Sequence, residues 1–358
     1  MIVVLLLAVA IPQGLDLYLP VPEDNPLTPE KIELGRRLFF DRRLSADGSI
    51  SCATCHDPRR AFSSNRAIAV GVFGRIGRRN APAIINRGYG RAFFWDGRTI
   101  TLEEQVLRPI EDPAEMGATA AAAATRVGLT TDELARSLAS YVRSILAGNS
   151  RFDRYLTGDQ PALNHDEIAG FRLFRGRANC TACHIGPLLS DEQFHSTGIA
   201  WKDERYQDKG RALVTGRSID RGAFKTPTLR EVARTAPYMH DGSLPTLDEV
   251  IDFYDRGGLS HPALDPEIKP LRLSDVEKRQ LLSFLRTLSG DVHEGGHSDG
   301  APVSKRVADG LPPVLQMLIQ EPQHSEVPYS ARRRLDLDLL EASGGVLVQK
   351  TGDQRLVR

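Results

Sequence analysis

All four cysteines of the chain fall in two copies of one pattern, Cys52-Ala-Thr-Cys55-His56 and Cys180-Thr-Ala-Cys183-His184. Two thiols three residues apart on one turn can each add to a vinyl group of a haem. The imidazole that follows is placed to reach the iron as its proximal ligand. Chemistry thus dictates both the spacing and the order, and the pattern predicts two covalently attached c-type haems. Other uses of paired Cys-x-x-Cys elements fit less well. A four-thiolate zinc site needs its two pairs closer than Cys55 and Cys180 lie. A thioredoxin-like pair needs a βαβ context that neither flank offers.

The elements that must hold these groups follow from length and pattern. A chain of 358 residues has room for two ordinary domains, and one motif falls in each half. The expected division is an N-terminal haem domain over 27–155 and a C-terminal one over 160–290. Lysine plus arginine and aspartate plus glutamate both number 46, so no global charge draws the protein to nucleic acid. Ile2 to Ile11 is apolar, short for a membrane span and suited to a signal-peptide core, although it lacks a basic leader. We read 1–20 as a signal peptide or N-terminal anchor, with the body exported to the periplasm, because bacterial haem attachment takes place outside the cytoplasm. No later segment is long and apolar enough to span a bilayer.

Helix starts recur. Thr101-x-x-Glu104, Thr130-x-x-Glu133, Thr246-x-x-Glu249 and Ser274-x-x-Glu277 are capping-box patterns that each open an apolar-periodic run. Strand-like alternation is rare, so the expected fold class is all-α, as two cytochrome c-like helical domains. In the run after Thr246, helical spacing puts Leu247, Val250, Ile251 and Tyr254 on one face, turning Tyr254 inward. Stretches around Gly71 to Pro82, Gly186 to Asp208 and Arg256 to Pro270 carry the glycine, proline and charge of loops, which would shape the haem edges. Ala120 to Ala124 reads as helix filler. Beyond Gly290 the core pattern stops, and 291–358 is expected to be an extension, with His293 and His297 able to bind a metal only if that extension is ordered.

Six further segments carry a resemblance: Phe40-Asp-Arg-Arg-Leu-Ser, Ser51-Cys-Ala-Thr-Cys-His-Asp, Phe94-Trp-Asp-Gly-Arg98, Pro113-Ala-Glu-Met-Gly117, Lys225-Thr-Pro-Thr-Leu-Arg230 and Thr235-Ala-Pro-Tyr-Met-His-Asp-Gly242. Around both haem motifs, and in this order over about 27–290, the chain resembles the bacterial di-haem cytochrome c peroxidases and their MauG-type relatives. The resemblance implies that hydrogen peroxide is reduced at the His56 haem. There Glu115 would move the proton that lets the O–O bond break, with Gln105 and Pro109 in the same distal pocket. It places Trp95 between the haems as an electron relay. It assigns a calcium ion to Asn80 and the backbone carbonyls of Thr235 and Pro237, neutral oxygen donors of the kind calcium accepts. It implies electrons from a small c-type cytochrome or cupredoxin, or a protein substrate oxidised at a distance, and it allows a homodimer.

Two departures from the common family pattern sharpen these expectations. The loop position that often supplies a histidine to the peroxide-site iron holds Val72, which cannot ligate, so that haem is expected to be open in the all-ferric protein. At the second haem a methionine is usual, and here the helix after Thr246 brings Tyr254, as in MauG-type enzymes. An anionic phenolate favours the ferric and higher states, whereas a thioether raises the potential. Met239 is the rival ligand, and Met116 a weaker one because it adjoins Glu115. MauG-type enzymes also use a tryptophan just before the second haem motif, where this chain has Ala178, so their tryptophylquinone-forming activity does not follow; Trp201 lies downstream. The other histidines, among them His165, His195, His261 and His324, read as surface or loop residues, and His240 as a partner for a haem propionate. A di-haem electron-transfer cytochrome without peroxide turnover, and a sensor or oxygenase on the same scaffold, are the alternative functions.

Overall fold

Capped helices dominate the molecule because the sequence marks their starts. The computed structural model describes residues 9–295. In the first half lie α1 (Pro29–Phe39), the one-turn α2 (Cys52–Cys55), α3 (Leu102–Gln105), α4 (Arg108–Glu111), α5 (Ala120–Arg126) and α6 (Thr131–Ser144). In the second lie α7 (Arg151–Leu156), α8 (His165–Arg175), α9 (Ala212–Thr215), α10 (Leu247–Asp255) and α11 (Asp275–Arg286). All four expected capping residues are N-caps. Thr130, Thr246 and Ser274 form complete reciprocal boxes with the glutamate three residues on. Thr101 makes half of one, because Glu104 turns instead to Arg108 at 2.6 Å. The Ala120–Ala124 run is the body of α5, started by the Thr119 hydroxyl.

Two hydrophobic clusters organise these helices. The first gathers α1, α5 and α6 with the segments between them, around Phe39, Phe62 and Tyr141; the Phe39 and Tyr141 rings meet edge to face at 5.2 Å. The second gathers α7, α8, α10 and α11 around Phe152, Phe171 and Phe284, with ring centroids of Phe152 and Phe284 5.1 Å apart. Each cluster rests on one close helix crossing made possible by a glycine. A Cβ on Gly35 of α1 would lie 1.9 Å from the Ser137 carbonyl of α6, and one on Gly170 of α8 would lie 2.0 Å from the Gln280 carbonyl of α11. An alanine at either place would force the helices apart, which close-packed interiors do not tolerate.

The all-helical expectation holds in the main, with short strands added. These are β1 (Ile145–Gly148), β2 (Phe194–His195), β3 (Trp201–Lys202), β4 (Arg205–Tyr206), β5 (Phe224–Lys225) and β6 (Asp291–Glu294), in antiparallel pairs β1–β6, β2–β5 and β3–β4. The fully buried β1 continues directly from α6 and takes β6 as partner, Leu146 opposite His293. Residues 291–295 of the expected extension therefore belong to the first cluster's edge, where Tyr141 Oη donates to Glu294 at 3.0 Å. His297, His324, Arg332 to Arg334 and the rest of that extension lie outside the described residues.

At the other end, residues 1–8 of the expected signal peptide or anchor also lie outside the described residues. Residues 9–20 pack on the body. Val9, Leu15 and Leu19 are buried in the first cluster, the Gln13 carbonyl accepts from the Asn149 amide at 2.9 Å, and Tyr89 Oη donates to the Asp16 carbonyl at 2.8 Å. None of the described helices is long and apolar enough to cross a membrane.

The two halves are joined by charge as well as by packing. Arg87 of the first half pairs with Glu192 of the second at 2.8 Å, and Lys225 adds to the same carboxylate at 3.1 Å, all three buried. Arg79 bridges Asp96 and Asp208, each at 2.7 Å. Burial opposes the charge on Glu192, but Arg87 and Lys225 hold its carboxyl down to about 2.

Candidate active site

Both cysteine-histidine motifs open onto one cavity of about 900 Å3 that runs between the two clusters. That is the upper end of the range for small-molecule sites, about 300–1,000 Å3. Each motif is a single turn closed by the same hydrogen bond, from the histidine amide to the first cysteine's carbonyl, 2.9 Å in both copies. Each imidazole is then fixed by a backbone carbonyl beyond the motif: His56 Nδ1 donates to Phe62 O at 3.0 Å, and His184 Nδ1 donates to Leu189 O at 2.9 Å. A donating Nδ1 leaves the lone pair on Nε2, the tautomer that a metal-binding histidine requires, and the carbonyl holds the ring's orientation. Burial pulls both imidazolium forms down, so the rings are neutral.

The thiols carry the opposite message to a metal-thiolate site. Burial pushes Cys52 up to about 12, Cys55 up to about 11 and Cys180 up to about 12. All four cysteines are unpaired. Neutral thiols lining an apolar cavity suit addition to a vinyl group better than zinc ligation, which takes thiolates. The walls supply what a large apolar macrocycle needs: Ile50, Phe93 and Leu138 in the first half, Leu229, Val250 and Leu281 in the second. The residues present therefore fit two haems.

Glu115 sits in the turn that follows α4. The turn is tied by Asp112, whose carboxylate accepts from the Ala114 amide at 2.8 Å and whose carbonyl accepts from the Glu115 amide at 3.0 Å. The side chain lines the cavity together with Gln105 at the end of α3 and Pro109 in α4. Burial, joined by the like charge of Asp112, pushes its carboxyl up to about 6 against the pull of Arg98. Its charge also reaches Cys55, contributing to the rise of that thiol. Val72 turns away from the cavity: it is fully buried, and its amide donates to the Glu115 carbonyl at 2.8 Å. The loop at Val72 thus braces the carboxylate's turn from behind.

Trp95 lines the cavity. Its indole N–H donates to the Asn80 carbonyl at 2.9 Å, and its own carbonyl accepts from the Lys225 amide of the second half at 2.8 Å. Asn80 is buried, donates its side-chain amide to Arg66 O at 2.9 Å, and lines the cavity with Thr235 and Pro237. In the second half Leu247, Val250, Ile251 and Tyr254 of α10 all line the cavity, the face expected from their spacing. Burial holds the Tyr254 phenol well above its usual range, and the nearby sulfurs of Cys183 and Cys180 act in the same direction. Met239 also lines the cavity, from a loop position with φ 73°, as does the buried Met116. His240 is buried and stacks on Phe224 with ring centroids 3.7 Å apart.

Sequence reasoning passed over several residues that shape this site. Asp112, which raises the pKa of Glu115 while Arg98 lowers it, lies outside all six family-like segments, and Arg98 closes one of them with no role assigned to it. Phe62 and Leu189 act through carbonyls, which no side-chain pattern reports. His195, expected as a loop residue, is held between Asp191 at 2.9 Å and Asp265 at 2.6 Å. Burial works against its charge, but the two carboxylates raise it to about 12. Its closeness to Asp191 and Cys183 makes a group of metal-ligating types, yet both ring nitrogens are already engaged and Cys183 belongs to the second motif.

The family model described as di-haem cytochrome c peroxidase matches residues 29–161. The methylamine utilization protein MauG of Methylorubrum extorquens is 39% identical over 293 residues, spanning 76% of this chain and 82% of that protein. The chain belongs to the di-haem cytochrome c peroxidase family. Cytochrome-c peroxidase IdrP1 of Pseudomonas sp. (strain SCT) is 35% identical over 316 residues, covering 75% of this chain and 83% of its own. Among solved structures, a MauG-like protein associated with microbial copper homeostasis aligns with a TM-score of 0.71 at 37% identity, over 79% of this chain and 96% of that one. Membership makes the protein an oxidoreductase and implies two haem c groups.

Proposed function

We propose that the protein reduces hydrogen peroxide at the His56 haem with electrons relayed from the His184 haem, and that Glu115 is the proton carrier of that reaction. Cys52 and Cys55 would hold one haem c and Cys180 and Cys183 the other; bound haem supplies the iron at which peroxide is reduced and the centre through which electrons pass. The observation that carries the reading is a carboxyl poised near neutrality, at about 6, on the wall of the cavity that His56 lines. A base with that acidity takes a proton from hydrogen peroxide on one oxygen and returns it to the other as the bond breaks. Gln105 and Pro109 shape the space beside it. The full reaction, H2O2 + 2 e− + 2 H+ → 2 H2O, needs two electrons from outside.

Trp95 is the relay residue in this reading, supported by its place on the cavity wall and its backbone link to Lys225. Tyr254 would hold the second haem in preference to Met239, because a box-capped helix presents it on the cavity wall near Cys180 and Cys183. Asn80, Thr235 and Pro237 would hold the calcium ion at the junction. The donor is a small c-type cytochrome or cupredoxin, or a protein substrate, and the setting is the periplasm. A homodimer is compatible with this scheme.

The test is to mix the all-ferric holoprotein with one equivalent of hydrogen peroxide and follow the haem bands by stopped-flow absorbance. A rapid change without prior reduction is the expected result. Unchanged spectra would leave an electron-transfer cytochrome as the function.

A further inference from the structure

A second aromatic site lies apart from the haem cavity. The β3–β4 hairpin sets Trp201 directly opposite Tyr206, and its tip residues Asp203 and Glu204 both hold positive φ, 52° and 56°. Two non-glycine residues in that conformation give a tight turn at some cost in strain. The product is an edge-to-face pair with ring centroids 4.8 Å apart. His261 joins it from another loop, stacked on Trp201 at 6.2 Å and 28°.

The hydrogen bonds of His261 define its chemistry. The Ala263 amide, which can only donate, lies 3.2 Å from Nδ1, so Nδ1 carries the lone pair. Tyr206 Oη stands 3.4 Å from the same nitrogen and shares its lone pair with the Ala263 amide, while Nε2–H donates to Ser196 Oγ at 3.1 Å. Burial pulls the imidazolium down, which keeps the ring a base. A phenol donating to a neutral imidazole can lose an electron and hand over its proton in the same event. A Cβ on Gly222 would come within 2.9 Å of the Tyr206 ring, so the tyrosine has little room to leave this arrangement.

The cluster faces in two directions. Inward, Ser196 lies between His195 and Thr197, both of which line the haem cavity, as does Ile199 two residues before Trp201. Outward, Trp201 and Tyr206 wall a surface groove of about 720 Å3 with Arg205, Lys209, Arg221 and Glu204 around it and Ile219, 65% exposed, on its rim. Three exposed cations against one carboxylate favour an anion, and the aromatic wall favours a flat ring.

We propose that the Trp201–Tyr206–His261 cluster is a reductant site, at which a small anionic phenol gives electrons to the peroxidase. The inference rests on the peroxidase reading above. In the step, Tyr206 yields one electron towards the haem cavity while its proton moves from Oη to His261 Nδ1. The phenol stacked on Trp201 then gives one electron to oxidised Tyr206 and releases its own proton to solvent, and His261 returns the first proton to Oη. Two such cycles balance one peroxide: H2O2 + 2 ArOH → 2 H2O + 2 ArO•.

The experiment uses the holoprotein with hydrogen peroxide and three donors: syringate, which is anionic, its neutral counterpart 2,6-dimethoxyphenol, and a reduced small c-type cytochrome. Syringate is expected to show a KM about tenfold below that of dimethoxyphenol at low salt, a preference lost in the doubly substituted R205Q/R221Q protein. Tyr206→Phe is expected to lower kcat for syringate about tenfold or more, while cytochrome oxidation stays within about twofold. Two readouts do not depend on turnover. Freeze-quenched protein given peroxide alone should show a tyrosyl signal by electron paramagnetic resonance that Tyr206→Phe removes, and calorimetry should detect syringate binding that R205Q/R221Q weakens. Equal syringate kinetics in Tyr206→Phe with the radical signal retained would overturn the site. Loss of cytochrome oxidation alone in these variants would make the face a protein-docking surface and overturn the small-molecule assignment. No peroxide turnover by the unmodified protein with any donor would overturn the peroxidase reading itself, and the site with it.

Discussion

The two halves of the molecule use one cradle and differ in what faces it. Each has a glycine-notched helix crossing, Gly35 on Ser137 and Gly170 on Gln280, and each has a histidine fixed through Nδ1 to a backbone carbonyl. The attachment machinery is therefore duplicated almost bond for bond. Opposite it, the first half presents a carboxylate from a turn, Glu115, and the second a phenol from a capped helix, Tyr254. A short turn braced by Asp112 and Val72 keeps a charged group at the cavity edge, where its acidity is tunable. A helix sets a bulky phenol at fixed depth. In the proposed reading that contrast separates a haem that reacts with peroxide from one that stores and passes electrons.

Removing the carboxylate should break the comparison most severely. Glu115→Gln keeps the shape and removes the base, and the rate of the all-ferric protein with peroxide should fall by about 10²–10⁴-fold in stopped-flow absorbance. The pH profile of the unmodified protein gives the same group by another route. Because the carboxyl is raised to about 6, the base form dominates above that pH and is lost below it. The rate should drop about tenfold for each unit under pH 6. A rate that is flat between pH 5 and 8 would remove Glu115 from the mechanism.

Next in size is the ionic seam between the halves. Glu192→Gln leaves Arg87 and Lys225 buried with their shared carboxylate gone, which should cost about 3–5 kcal/mol in denaturant unfolding. Because the Glu192 carboxyl is held down to about 2, its contribution is complete above the ordinary carboxylate value of 4.5 and fades as pH falls towards 2. The unmodified protein should therefore lose stability in acid that the variant has already lost. The surface pair Arg43–Asp41, 2.6 Å long but with the arginine side chain 66% exposed, should leave the unfolding midpoint almost unchanged on removal.

At the second haem the expected change is in potential. Tyr254→Met should raise it by on the order of 0.1 V or more, within the roughly 0.8 V range that axial ligands command, as read by spectroelectrochemistry. Tyr254→Phe should alter the ferric spectrum of that haem alone. If both variants keep the original spectrum and potential, Met239 is the ligand.

These tests probe features that the sequence displayed to different degrees. Groups whose chemistry is local were legible: the Cys-x-x-Cys-His turns, the capping boxes at Thr130, Thr246 and Ser274, and the inward face of α10 all follow from residues a few positions apart. Features made by distant partners were not. The β1–β6 pair joins residues as far apart in sequence as Leu146 and His293. Arg87, Glu192 and Lys225 meet only once both halves are folded, and each alone reads as an ordinary surface charge. His195 likewise gave no sign of its two carboxylates. The Gly186 to Asp208 stretch reads as loop from its glycine, proline and charge, and within it the strained tip at Asp203 and Glu204 brings Trp201 against Tyr206.

The smallest effect distinguishes the two halves most finely. Thr130 and Thr246 begin α6 and α10 with the same capping box, so Thr→Ala should cost about 1 kcal/mol at either position. The consequences should differ. The helix α6 meets the cavity through Leu138 and Val142, aliphatic side chains with no ligand role, and fraying its first turn should lower stability and leave both haem spectra as they were. The helix α10 is only nine residues long and carries Tyr254 near its end, so loosening its start should shift the ligand's position as well. Thr246→Ala should therefore broaden or shift the second haem's ferric bands at a loss of stability matched by a spectrally silent Thr130→Ala. Equal silence in both would mean that the packing of Leu247 and Ile251, and not the cap, fixes the depth of the phenol.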